Sequence, residues 1–303
     1  MTARIRLTVL SGAVALVLAS ASAQEHPSDA LAETLRARTA QHLQTIAAEA
    51  DGVVGYRIVD LTTGDHFSRL ETTAFPAAST IKLAILYELL RQADAGAIDL
   101  DRAAPLDRTR AVPGGLLYEL GTPSLSPRDL AVAMIVQSDN TATNVLIDRV
   151  GMDAVNRRMR ELGLADTHLR RYMIDLEAAR RGDENVTTPA DLVRLLIAFH
   201  ERTGLSDAAG READRILRIY KRTPIRAGVP ASVAVASKSG ELEGVRADAG
   251  IVYVERRPYA FAAMSTYMGE GDAGGRALEA LARESYGYFS RLATVSRYGR
   301  QIR

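Results

Sequence analysis

Strand-forming sequence occurs only near the two ends of this chain, and the long stretch between them reads as one helix after another. Residues 29–50 carry Leu31, Leu35, Ala40, Leu43, Ile46 and Ala47 at helical spacing, which predicts an amphipathic helix. Residues 52–58 and 66–70 flank a turn and predict a β-hairpin. Residues 232–237, 248–254 and 259–268 are strand-like, and 275–292 is again helical, with a Leu and Ala stripe that predicts packing on a core. From Thr80 to about Arg222 the pattern is helical, punctuated at Gly96, Gly114, Pro123, Gly151, Gly163 and Pro189. The expectation is an α+β fold: a sheet layer completed by both termini (residues 24–76 and 228–303) with an all-helical domain (77–227) inserted. A cleft where the two parts meet is the default place for a site.

Composition narrows the chemistry. The chain has no cysteine, which excludes disulfides, thiolate metal sites and a cysteine nucleophile. Its five histidines are scattered without metal-ligand spacing, so no metal is expected. A net charge of +1 gives no polyanion-binding surface, so nucleic acid is not an expected partner. No cofactor is expected.

Residues 1–23 read as an export signal. Arg4 and Arg6 precede an apolar run from Leu7 to Leu18, and Ala21-Ser22-Ala23 fits the small-residue cleavage rule, with the cut before Gln24. The apolar run is short of the about 20 residues needed to span a bilayer. The expected product is a periplasmic or secreted monomer with no membrane association after cleavage.

Lysine is scarce, three residues against 35 arginines, so each lysine invites the question of why arginine would not serve. Only lysine can lose its proton in a buried site and act as a base. Lys82 follows Ser79 by three residues at the start of an apolar helix, which puts hydroxyl and amine on one face. A desolvated amine at that distance can activate the hydroxyl, and free N–H groups at the helix start can hold an oxyanion. A second element, Gln137-Ser138-Asp139-Asn140, breaks the helical pattern, with Asp139 or Asn140 as N-cap of the next helix. A third, Ser237-Lys238-Ser239-Gly240, ends a small apolar strand, with a cation and a hydroxyl beside a glycine.

Ser-x-x-Lys, Ser-Asp-Asn and Lys-Ser-Gly in this order resemble the class A serine beta-lactamases and the related penicillin-binding proteins over nearly the whole mature chain. The resemblance implies an antiparallel sheet flanked by the N- and C-terminal helices, a helical domain beside it, and a site in the groove between. It makes Ser79 the acylated nucleophile, Lys82 its proton acceptor, and Ser138 the relay to the departing lactam nitrogen. Asn140 would bind Lys82 and the acyl side-chain amide. Lys238 and Ser239, beside Gly240, would hold the substrate carboxylate, with Arg246 assisting. The backbone N–H groups of Ser79 and Glu241 would form the oxyanion hole. The implied substrate is a beta-lactam or a peptidoglycan-like molecule.

One departure stands out. Alignment on Arg171 and the Leu-x-x-Ala-x-x-Gly-Asp run places Met173 where class A enzymes carry the glutamate that activates the deacylating water. A thioether cannot take a proton from water. Glu177, four residues on, is the first substitute expected on a helical turn, and Asp175 the second. A GxGxxG match at 269–274 is expected to be a strand-to-helix connection, since Glu270 and Asp272 would repel a pyrophosphate.

Overall fold

The computed structural model describes residues 27–269, 271–296 and 298–302, so the segment read as an export signal lies outside the described residues. In chain order the elements are α1 (Pro27–Glu49), β1 (Val53–Asp60), β2 (His66–Arg69), β3 (Phe75–Pro76), a 3-10 turn (Ala78–Ile81) and α2 (Lys82–Asp94). Then follow β4 (Ala104–Pro105), a 3-10 turn (Arg108–Arg110), α3 (Leu116–Glu119), β5 (Ser124–Leu125), α4 (Pro127–Val136), α5 (Asn140–Val150) and α6 (Met152–Glu161). The chain closes with α7 (Leu176–Arg180), β6 (Val186–Thr187), α8 (Pro189–His200), α9 (Asp207–Arg218), α10 (Pro224–Gly228), β7 (Val235–Leu242), β8 (Val245–Val252), β9 (Tyr259–Thr266) and α11 (Ala273–Thr294).

Five strands form one antiparallel sheet in the order β2-β1-β9-β8-β7. Central strand β9 is buried on both faces, which explains why it reads as an almost unbroken apolar run rather than an alternation. Its Tyr259, Phe261 and Ala263 enter a core with Leu43 and Ala47 of α1 and Leu278, Leu281 and Phe289 of α11. Its Ala260, Ala262 and Met264 join a second core with α2, α4, α5, α8 and α9. The terminal helices thus cover one face and the inserted helices the other, as the α+β reading expected. Leu31, at the start of the stripe assigned to α1, lies beyond the sheet and stays exposed.

Helix α2 is enclosed along its first nine residues: Lys82 to Leu90 are all buried, mostly apolar, with the buried Glu88 paired to Arg158. Helix starts follow local chemistry. Ser126 and Asp129 make a reciprocal capping box with Pro127 in the first turn of α4, and Asp139 caps α5 through the Ala142 N–H.

Two expectations need correction. Short pairs β4–β5 and β3–β6 place strand within the stretch read as wholly helical. The third motif also does not end its strand: Lys238, Ser239 and Gly240 lie inside β7, which runs on to Leu242. Small residues looked like a strand end, but β7 pairs with β8 along its whole length and Gly240 is small because it crosses another backbone.

Helix α2 carries Lys82, so its packing determines whether a site exists at all. Leu86→Ala, at a fully buried position, is expected to lower unfolding free energy by about 2–5 kcal/mol in urea titration.

Candidate active site

Ser79 stands in the 3-10 turn that feeds α2, half-buried and facing a groove of about 790 Å³. Ser138, Asn140, Lys238, Ser239, Gly240, Glu241 and Arg246 line the same groove. The turn is held from behind, because the Ala77 N–H donates to Asn185 O and the Thr80 hydroxyl to Ala77 O. Strand β7 passes so close that a Cβ on Gly240 would lie 2.7 Å from Ser79 N and 3.1 Å from Thr80 N. Only glycine allows this approach of strand to nucleophile.

The Ser138 hydroxyl is the hub. It donates to Ser79 Oγ at 2.8 Å and accepts from Lys82 Nζ and Lys238 Nζ, each at 3.1 Å. Lys82 also donates to the Ser138 carbonyl at 2.6 Å and to Asn140 Oδ1 at 2.9 Å. The hydrogen-bonded route between Ser79 and Lys82 therefore passes through Ser138 rather than directly along the helix face. Ser138 (φ 57°) and Ala78 (φ 45°) both hold left-handed backbone, at about 1–2 kcal/mol each. The loop around Ser138 is pinned by Asp139, which accepts from Ala142 N and Leu117 N, and by Asn140, which donates to Pro113 O. Gly114 and Gly115 are bare for this reason: a Cβ on them would lie 2.4 Å from Asn140 Nδ2 and 2.2 Å from Asp139 Oδ2.

Burial sets the proton affinities. Lys82 is fully enclosed, and desolvation, with repulsion from Lys238, drives its pKa well below the ordinary 10.5, against a partial offset from Asp139. Desolvation lowers Lys238 to about 7, against the attraction of Asp248. The lowered proton affinity of Lys82 favours its giving up a proton and serving as a base, and a protonated Lys238 beside the groove suits an anion.

On the other side of Ser79 lies a small cavity of about 130 Å³, lined by Ser79, Asn140, Met173, Ile174, Leu176 and Glu184 among others. Met173 is fixed there by Asn144 of α5, which accepts from its N–H at 2.8 Å and donates to its carbonyl at 3.2 Å. The neck of this loop is closed by Arg171 on Glu184 at 2.6 Å. Of the two carboxylates expected to replace the missing glutamate, Asp175 caps α7 through Ala178 N and Glu177 is exposed. Neither lines the cavity or the groove.

Arg246 lines the groove but is already engaged, with its guanidinium 2.8 Å from Glu241 and 2.9 Å from Asp272. Sequence reasoning missed Arg222, which lines the groove just before the Thr223-Pro224 start of α10. That Thr-Pro signal marks a helix start but not which way the preceding arginine faces. Asp272, from the GxGxxG match, caps α11 through Gly275 N and puts a carboxylate where a phosphate would sit. Among the described residues, no three His, Cys, Asp or Glu side chains are grouped to hold a metal ion.

What this geometry prepares is a serine hydroxyl for acyl transfer, on a sheet-and-helix scaffold. Comparison with known proteins takes the assignment to a family: the chain belongs to the beta-lactamase enzyme family, whose model matches residues 38–289. It is 31% identical to a beta-lactamase of Rhodobacter capsulatus over 202 residues, covering 65% of this chain and 66% of that protein. It is similar to the solved acyl-enzyme complex of a PBP-A point mutant with penicillin G (TM-score 0.77, 26% identity, 84% of this chain and 97% of that one). An ancestral class A beta-lactamase gives TM-score 0.77 at 25% identity, over 83% of this chain and 100% of that one.

The contact of β7 with the nucleophile is testable. Because the atoms facing Gly240 are the backbone nitrogens of Ser79 and Thr80 and the rigid Cβ of Ala78, Gly240→Ala must push strand and turn apart. It is expected to cut acylation of Ser79 at least about 100-fold, read by intact mass, with far-UV circular dichroism unchanged.

Proposed function

We propose that this protein is a serine beta-lactamase that opens the beta-lactam ring through an acyl-enzyme on Ser79. The Ser138 hydroxyl carries the reading, standing within hydrogen-bond reach of Ser79 Oγ, Lys82 Nζ and Lys238 Nζ together. Ser79 Oγ attacks the lactam carbonyl while its proton passes through Ser138 to neutral Lys82. The oxyanion is held by the N–H groups of Ser79 and Glu241, donors of a type worth about 3 kcal/mol each. As the C–N bond breaks, the proton returns through Ser138 to the leaving nitrogen. Lys238 and Ser239 hold the substrate carboxylate, with Arg222 and Arg246 adding positive potential, and Asn140 holds the acyl amide. The steps draw on these side chains alone, without a cofactor. The arginine-led start, apolar run and Ala-Ser-Ala site of residues 1–23 support export to the periplasm or beyond. No described helix is long and apolar enough to cross a membrane.

Hydrolysis of the ester needs a base for water, and the cavity beside Ser79 presents the thioether of Met173 at the position the family resemblance gives to glutamate. Deacylation is therefore expected to be the slow step. That observation also favours a second reading, a penicillin-binding D,D-peptidase or related serine hydrolase for which beta-lactams are long-lived acylating inhibitors. A non-catalytic relative that merely captures acyl donors fits less well with Ser79, Lys82, Ser138 and Lys238 all in place.

The deciding experiment mixes the purified protein with a chromogenic cephalosporin and follows colour and intact mass from seconds to hours. Sustained turnover supports the beta-lactamase reading; one equivalent of product with a persistent adduct supports the peptidase. Ser79→Ala should give neither adduct nor turnover, and an adduct on that variant would remove Ser79 from the mechanism. Met173→Glu should shorten the acyl-enzyme lifetime at least about tenfold. Lys238 holds its proton below about pH 7 and loses it above. Acylation by carboxylate-bearing lactams should therefore fall as pH rises through that value, while a neutral ester donor keeps its rate.

A further inference from the structure

Asp175 and Glu177 lie outside the cavity beside Ser79, but another carboxylate lines it. Glu184 stands on the closing limb of the loop that carries Met173, half-buried, and shares the cavity of about 130 Å³ with Ser79. Its two oxygens are used unequally. Oε1 accepts three bonds, from Arg171 Nη2 at 2.6 Å, the Asn185 N–H at 2.9 Å and Arg171 Nε at 3.1 Å. A guanidinium fork commonly takes both oxygens of a carboxylate through parallel N–H groups. Here both donors of Arg171 fall on one oxygen, and Oε2 has no hydrogen-bond partner among the described residues.

Closing the loop does not by itself call for a carboxylate at 184. The buried Asn185 ties the two limbs together: its Oδ1 accepts the Arg170 N–H at 2.7 Å and the Arg171 N–H at 3.1 Å, and its Nδ2 donates to Arg171 O at 3.2 Å. Its carbonyl accepts the Ala77 N–H behind the nucleophile at 2.8 Å. An amide oxygen at 184 could accept the same three bonds as Oε1. What a carboxylate adds is a second basic oxygen, left open. Met173, Ile174, Leu176 and Leu242 give the cavity an apolar lining, so water there is ordered by its few polar groups, among which Oε2 is a free acceptor. Glu241, the other acid on the wall, is mostly exposed and lies 2.8 Å from Arg246 of the groove.

We propose that Glu184 is the base for deacylation in this chain, its free Oε2 activating a water in the cavity that Glu184 and Ser79 share. The inference rests on the acyl-enzyme reading and supplies its second half. The water oxygen bonds to the acyl carbon as its proton passes to Oε2. When the tetrahedral intermediate collapses, the bond from the acyl carbon to Ser79 Oγ breaks and that proton returns to Oγ, which frees the acid and restores the carboxylate. Met173→Glu then adds a second base to the cavity rather than its first.

The test separates a base from a prop for the loop. The purified protein is acylated with a chromogenic cephalosporin, freed of excess lactam, and the loss of adduct is followed by intact mass in buffer and in hydroxylamine, a nucleophile that attacks esters without a base. Glu184→Gln, still acylated to one equivalent, should keep its adduct in buffer at least about tenfold longer than the parent, with loss to hydroxylamine at the parent rate. Adding Met173→Glu to that variant should restore clearance by water, which a merely displaced loop would not allow. Should Glu184→Gln fail to fold, Glu184→Asp keeps the charge beside Arg171, withdraws the oxygen by one methylene, and decides by the same comparison. Clearance by water at the parent rate overturns the proposal, and so does equal slowing in both media or a parent adduct that water never clears. A parent that forms no adduct on Ser79 sinks the acyl-enzyme reading itself, before any variant is made.

Discussion

Two lysine amines buried against one serine hydroxyl are the constraint on which the rest of the structure turns. Lys82 and Lys238 are 0% and 2% exposed, and both reach Ser138 Oγ. Two ammonium groups so enclosed repel each other and forgo hydration, and the protein resolves this by lowering their proton affinities rather than by moving them apart. The outcome is an asymmetric pair. Lys82, deeper and next to Asn140 and the Ser138 carbonyl, has its proton affinity driven well down, while Lys238 can still carry a proton and meet an anion. Arginine could not take the role of Lys82, because a guanidinium keeps its proton.

Holding that pair in place uses both layers of the fold. The sheet brings Lys238 along β7, and α2 brings Lys82 from a core apolar on all sides. Ser138 arrives on a short turn between α4 and α5 whose left-handed backbone is tolerated because Asp139 and Asn140 tie it down on both sides. Bare glycines mark the close approaches: Gly240 lets β7 pass the backbone of the Ser79 turn, and Gly114 and Gly115 leave room for the Asn140 and Asp139 side chains that pin the Ser138 loop.

Much of this was legible in the sequence. Terminal strands and a helical middle gave the layer arrangement because buried strands and helices leave different apolar patterns, and three short motifs located Ser79, Lys82, Ser138, Asn140 and Lys238. The gaps have physical causes. Gly240 looked like a strand end because small residues mark both turns and crossings. Arg222 precedes a recognisable cap, yet caps specify where a helix begins and not what the residue before it faces. Glu177 was chosen from helical spacing, but the turn that places it four residues beyond Met173 also turns it out to solvent.

The same loop separates the two halves of the chemistry. The proposed acylation uses the Ser79, Ser138, Lys82 and Lys238 constellation, which packed helices, strand β7 and one pinned turn hold in place. Deacylation needs a base on the opposite side of Ser79, and there the backbone frame is complete: Asn144 holds both the N–H and the carbonyl of Met173, and Arg171 and Glu184 close the loop. In the cavity there Met173 presents a thioether, and the carboxylate of Glu184 is paired with Arg171. Because this frame is so fully hydrogen-bonded, the proposed slow deacylation would turn on the side chain at 173 rather than on loop disorder.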